Sequence, residues 1–127
     1  MPNSSDKTKV KGFIGEATVV NWLLQHGYTV LAQNYTCKLG EIDIIAKKGD
    51  VISFIEVKTR LRTYFDLSEL ITVSKQRKII LTAKRYIGFY GNNKQIYQFD
   101  VALVEKSQIG QLNVNYLANA FHGSEFY

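Results

Sequence analysis

The stretch Val51–Arg60, VISFIEVKTR, decides how this chain reads. Side chains alternate along an extended strand. Ile52, Phe54, Glu56, Lys58 and Arg60 therefore point one way, and Val51, Ser53, Ile55, Val57 and Thr59 the other. One face starts apolar and turns charged towards its C-terminal end. A half-buried structural strand would sort apolar from polar between its faces. Here an acid and a base follow two large apolar residues on the same face, in a strand apolar enough to be central.

The preceding strand, EIDIIA at 41–46, has a similar asymmetry. Regular alternation places Ile42, Ile44 and Ala46 on one face and Glu41, Asp43 and Ile45 on the other. Gly49-Asp50 is a turn signal, and a hairpin there would bring Asp43 alongside Glu56. Tyr28–Tyr35 reads as a further strand before a turn at Cys37–Gly40. Apolar positions Phe13, Ala17, Val20 and Leu24, with Ile14 and Leu23, predict a helix from Gly12 to His26, stopped by Gly27. After a looser stretch, Leu61–Leu70, a second amphipathic helix is expected from Thr72 to Tyr90, then strands at Gln95–Val104 and Leu112–Leu117. The order αβββαββ predicts an α/β fold with a central mixed sheet flanked by helices. One domain is expected over 12–121, with a flexible arm at 1–11 and a tail at 122–127.

The chain has 127 residues, 46% hydrophobic, with eight tyrosines and seven phenylalanines, which suits one small core. Sixteen Lys/Arg against eleven Asp/Glu give a net charge of +5, a balance that favours polyanions. The single cysteine, Cys37, excludes an intramolecular disulfide and a thiolate metal cluster. The polar N-terminal segment has no signal-peptide character, and no apolar run approaches membrane-spanning length. A cytoplasmic protein that does not use a membrane is expected.

Glu16 falls about 60° from Phe13 on the first helix, on the side of Val20 and Leu23, so it belongs to the core-facing stripe. Glu16, Asp43 and Glu56 would repel one another if buried without compensation. A divalent cation resolves that conflict. Oxygen donors without nearby His or Cys point to magnesium or manganese.

Asp43 followed by Glu56-Val57-Lys58 resembles the D…(D/E)xK signature of the restriction-endonuclease-like superfamily. A wider series runs in order from 12 to 121: GFIGE (12–16), QNY (33–35), GEIDIIA (40–46), FIEVKTR (54–60), SKQRKI (74–79), FDV (99–101) and NAF (119–121). It resembles the YraN-like family of small bacterial proteins, similar in layout to archaeal Holliday-junction resolvases. Thr36, Asp66 and Gln98 depart from it, standing where an arginine, a glycine and an arginine are expected. The resemblance implies a restriction-endonuclease-like three-layer core. Asp43, Glu56 and the Val57 carbonyl would then hold the metal, with Glu16 completing or bridging the site. Lys58 would position and help deprotonate the attacking water, or stabilise the pentacovalent phosphate.

Gln76 falls within the buried stripe of the second helix, where it could meet a metal-bound water or a phosphate; a hydrogen-bonded core glutamine is the alternative. Lys38, Arg60, Arg62, Lys75 and Lys78 are candidate nucleic-acid contacts, and Tyr64 and Phe65 could stack on a base. Arg85 lies on the same side of the second helix as Lys75 and Lys78. Trp22 falls about 180° from Phe13, near Val19, as a partner surface or a lone exposed aromatic. Asp100 is expected to face a neighbouring strand. These readings converge on a magnesium-dependent nuclease acting on DNA, conceivable as a homodimer on branched substrates. An inert nucleic-acid-binding module and a protein adaptor using Trp22 are the alternatives.

Overall fold

The computed structural model describes residues 4–61 and 71–122. Helix α1 (Ser4–Gln25) is followed by strands β1 (Thr29–Cys37), β2 (Gly40–Lys48) and β3 (Val51–Leu61). Helix α2 (Val73–Tyr90) then leads to β4 (Ile96–Lys106) and β5 (Leu112–Phe121). The order is the expected αβββαββ. The expected loose stretch after β3, with Arg62, Tyr64, Phe65 and Asp66, lies outside the described residues, as does the tail from 123.

The five strands form one sheet in the order β1-β2-β3-β4-β5. Short turns make β1–β2 and β2–β3 antiparallel hairpins, and the long passage through α2 makes β3 and β4 parallel. A parallel pair covered on both faces calls for apolar residues on both faces. Accordingly Ile52–Glu56 of β3 and Phe99–Val104 of β4 are buried throughout. On one side, α1 sets Val19 and Leu23 against Ile44, Ala46, Ile55, Ala102 and Val104. On the other, Ile79, Ile80 and Ala83 of α2 join Ile42, Ile45, Ile52, Phe54, Phe99 and Val101. The result is helix, sheet, helix. Among the described residues no helix is long and apolar enough to cross a membrane.

Three expectations need correction. Helix α1 starts at Ser4, not Gly12, and its buried face is centred on Val19 and Leu23, while Ile14 and Leu24 are 53% and 58% exposed. Ala17 is exposed as well, and the side chain of Phe13 lies outside the described residues. Hydrophobicity could not separate the two faces, since both carry aliphatic residues; Gly15 decides between them. It is buried where α1 crosses β3, and a Cβ there would overlap the Thr59 hydroxyl. The helix can lie this close only along the Gly15–Val19–Leu23 line, at i, i+4 and i+8.

Trp22 consequently faces the sheet and not outward. It is half-buried, stacked between His26 at 3.8 Å and Tyr116 of β5 at 4.9 Å between ring centroids. The third correction concerns β2. Ile42 and Ile45 pack towards α2, and Ile44 and Ala46 towards α1, so alternation breaks at Asp43.

Asp100 does meet the neighbouring strand, as expected. Fully buried, it accepts hydrogen bonds from Gln98 Nε2 (3.1 Å), the Asn119 backbone N–H (2.8 Å) and the Tyr116 hydroxyl. Burial, and then the Asp100 charge, push the Tyr116 hydroxyl far above the ordinary tyrosine range, so it stays protonated as a donor. Gln98, the departure from the expected arginine, supplies an amide in place of a guanidinium.

A contrast between two helical glycines tests the close approach of α1. Gly15→Ala should destabilise the protein by about 1–2 kcal/mol despite better helix propensity, because overpacking against a stiff threonine outweighs it. Gly88→Ala, with open space around the added methyl, should be neutral or stabilising by up to about 1 kcal/mol. Thermal denaturation of both variants checks this; a Gly15→Ala protein at least as stable as the parent would refute the packing account.

Candidate functional site

The site forms where β2 and β3 part. Their ladder runs from Lys48↔Val51 to Ile44↔Ile55 and stops there. Beyond it, one residue on along β2 and two along β3, the Val57 N–H donates to Asp43 Oδ2 at 2.8 Å, so a carboxylate takes the place of a backbone partner. The cause lies partly in β1. Asn34, in the left-handed region at φ 51°, sits between the pairs Gln33↔Ile44 and Tyr35↔Ile42 and so lies opposite Asp43. Asparagine tolerates this conformation better than most residues. The resulting irregularity flips the alternation of β2 and turns Asp43 towards β3.

Glu56 follows Ile52 and Phe54 on the face of β3 under α2 and is only 5% exposed. Its carboxylate meets two ammonium groups. Lys75 Nζ, from the first turn of α2, lies 2.7 Å from Oε1, and Lys58 Nζ lies 3.7 Å from the same oxygen. Thr72 caps α2, accepting from the Lys75 N–H at 3.2 Å, and fixes where that first turn begins. Asp43, Glu56, Lys75 and Lys78, with Gly40, Glu41 and Ile79, line a cavity of about 120 Å³.

The electrostatics are those of crowded acids. Burial first, and then the charge of Glu56, push the Asp43 carboxyl up to about 7, against the Val57 hydrogen bond that favours its ionised form. Near neutrality the Asp43 carboxyl therefore still holds a proton part of the time, because it is buried and the Glu56 carboxylate lies beside it. Burial lowers the Lys58 ammonium below the usual lysine range, helped by neighbouring Lys75 and Arg60. Lys75 moves the other way: burial opposes, but the hydrogen bond and charge of Glu56 prevail and raise it.

Of the residues singled out by sequence, Asp43, Glu56, Lys58, Lys75 and Lys78 come together. Glu16, half-buried, approaches from the opposite helical layer. Burial raises its carboxyl, a hydrogen bond from Asn34 opposes this, and the charges of Glu41 and Glu56 add to the rise. Gln76 is not brought in: its Nε2 donates to the Ile71 carbonyl at 3.1 Å, and it does not line the cavity. Arg60 is exposed near the end of β3, Lys38 is exposed in the β1–β2 turn, and Arg62 lies outside the described residues. Sequence reasoning missed Asn34 as the partner of Glu16, although a short polar residue in a strand was the available signal. It also gave Lys75 to a substrate, where its contact is Glu56.

The oxygen donors suit a hard divalent cation, and no imidazole or thiolate lines the cavity. Among the described residues no group of three His, Cys, Asp or Glu side chains is placed to hold a metal ion. The arrangement is thus a two-carboxylate one, of the kind that leaves coordination positions to water and substrate.

The model of an uncharacterised protein family, UPF0102, matches residues 15–104. The chain belongs to that family. It is the family that the motif series resembles. UPF0102 proteins similar to this chain include one from Clostridium tetani, 47% identical over 71% of this chain and 75% of its own length. Another, from Caldicellulosiruptor saccharolyticus, is 41% identical over 87% of this chain and 95% of its own. A third, from Clostridium botulinum, is 46% identical over 87% and 92%. The matched segment of this UPF0102 chain begins at the Gly15 crossing and includes every site residue named above.

The raised Asp43 carboxyl has a measurable consequence for pH. Asp43 is harder to ionise in the fold than in the unfolded chain, whose value is near 3.8. Its contribution to stability is therefore full below about pH 4 and lost as pH rises through about 7. Asp43→Asn keeps an acceptor for the Val57 N–H and removes the titration. In chelator, the stability of the parent relative to Asp43→Asn should fall by a few kcal/mol, as an order of magnitude, between those pH values. Urea denaturation across the range reads this, and a pH-independent difference would contradict a raised Asp43 carboxyl.

Proposed function

We propose that the Asp43–Glu56–Lys58 centre is a metal-dependent phosphodiesterase site of restriction-endonuclease-like type, hydrolysing nucleic acid, with DNA as the expected substrate. One observation carries the reading: two carboxyl groups on parting strands line one small cavity edged by lysines. A purely structural ion pair does not need two acids held against each other.

Asp43 and Glu56, with the Val57 carbonyl, would hold magnesium or manganese, and Glu16, which does not line the cavity, would add its charge from the opposite layer. When bound, the cation supplies charge screening at the phosphate and a more acidic water. The chain's own groups do the rest. Lys58, lowered by burial and by Lys75, is suited to position the attacking water and take its proton. The water oxygen forms the new bond to phosphorus, the bond to the leaving sugar oxygen breaks, and that oxygen takes up a proton. Lys75 and Lys78, at the mouth of the cavity, offer charge to the phosphate oxygens.

A second reading, an inert nucleic-acid-binding module, draws on the 2.7 Å contact between Lys75 and Glu56, which neutralises that carboxylate without a metal. The two readings separate on a panel of linear, single-stranded, flapped and four-way DNA with Mg²⁺ or Mn²⁺. The nuclease reading expects cleavage of at least one substrate, reduced at least about a hundredfold in the Asp43→Ala/Lys58→Ala protein. It also expects calorimetric Mn²⁺ binding weakened about tenfold or more by Glu56→Gln. Cleavage that persists in the double variant would remove the site from the chemistry. Salt-dependent binding without cleavage under either metal would establish the inert module instead.

A further inference from the structure

Helix α2 carries Lys75, Arg77, Lys78, Lys84 and Arg85 and no acidic residue between Val73 and Tyr90. A helix face that is merely solvated normally mixes signs. The position of these cations matters more than their number. Lys75, Lys78, Thr82, Arg85 and Phe89 recur at i, i+3, i+7, i+10 and i+14, which is one stripe along the helix.

Contacts fix where this stripe faces. The Gly40 backbone lies against Lys78 and Thr82, and Cys37 Sγ lies 3.9 Å from Thr82 Oγ1. Arg85 follows Thr82 by three residues on the same stripe; burial opposes, yet the Leu39 and Gly40 backbone, the Thr82 hydroxyl and the Arg85 charge draw the Cys37 thiol down. The stripe therefore runs along the β1–β2 turn, where Lys38 is exposed and Leu39 is 44% exposed. Its first two cations line the candidate site. Its far end is Phe89, 69% exposed, with the Arg85 guanidinium 5.6 Å from the ring centroid. From Lys75 to Phe89 the rise is about 21 Å. Among the described residues, the acids bordering the start of this path are Glu41, Asp43 and Glu56, which line the cavity with Lys75 and Lys78.

We infer that this stripe is a track for one single-stranded arm of the substrate, its phosphates on Lys78 and Arg85 and an unpaired base on Phe89. Charge complementarity and continuity with the catalytic cavity select a polyanionic strand. The exposed aromatic beneath a guanidinium selects an unstacked base over a paired one. The inference rests on the nuclease-type reading of the site and narrows it: the preferred substrate is a duplex carrying a single-stranded tail, not a blunt duplex.

The test reads binding without metal, so that it is separate from cleavage. Fluorescence anisotropy of the full chain in chelator compares a labelled blunt duplex with the same duplex bearing a short single-stranded tail. The tail should tighten binding about tenfold, and Phe89→Ala should abolish that gain while leaving the blunt duplex unchanged. Lys78→Ala/Arg85→Ala should lower the salt dependence for the tailed substrate by about 1.4 in the log–log slope. All three side chains are exposed, although Thr82 between them is buried beneath the β1–β2 turn, and circular dichroism of each variant confirms that the fold is kept. Equal affinity for both substrates, no effect of Phe89→Ala, or equal competition by polyglutamate would overturn the track. Cleavage that survives such a result leaves the nuclease reading standing; tail-dependent binding with no cleavage under any metal rejects that reading and keeps the track.

Discussion

Asp43 accepts its hydrogen bond from the Val57 N–H at the point where β2 and β3 stop pairing, and the geometry of the site follows from that substitution. A backbone carbonyl in that place would have continued the ladder and kept the strands together. A carboxylate instead satisfies the donor from a side chain, lets the strands part, and leaves a charged group in the opening. The polar backbone still has its partner, so the gap does not create an orphaned N–H. A cavity next to a fully buried strand is tolerable for this reason.

Once the strands part, electrostatics decide what the gap can hold. Glu56 is almost fully buried and faces Asp43, while Glu16 adds charge from the other layer. Removing carboxylates from water costs several kcal/mol each unless partners replace the solvent. The protein offers two kinds of partner at once, a proton for the raised Asp43 carboxyl and the ammonium groups of Lys58 and Lys75 for Glu56. Both are exchangeable, which distinguishes this cluster from the Asp100 network. There an amide, a hydroxyl and a backbone N–H close around the carboxylate and leave nothing to displace.

The sequence made β3 legible because its two faces differ in chemistry over ten residues and its backbone stays regular. The element order and both hairpins were readable for the same reason, from turn residues and alternation. The faces of β2 were not, since one residue of β1, Asn34 at φ 51°, breaks the period, and no pattern within β2 announces it. Helix α1 failed differently. Ile14 and Leu24 are as apolar as Val19 and Leu23, and the choice of face depended on Gly15 meeting Thr59 across the chain. Trp22 was misplaced by the same rotation. Lys75 was recognised as a cation near the site, but its partner lies on a strand nineteen positions earlier, a tertiary fact outside any local pattern.

The Lys75–Glu56 contact bears on how such a site could work. An ammonium at 2.7 Å compensates one carboxylate and leaves Asp43 to hold a proton, so the cluster carries less positive charge than its acids could accommodate. A divalent ion would satisfy both acids, release the proton and free Lys75 for another anion. Lys75 and Lys78 are at the start of the basic face of α2, so the anion best placed to take up that released charge is a phosphate entering along the helix. Metal and substrate binding would then favour each other, because each relieves the group that the other displaces. On the proposed reading, the same lysine that pairs with Glu56 in this structure would become available when the site fills.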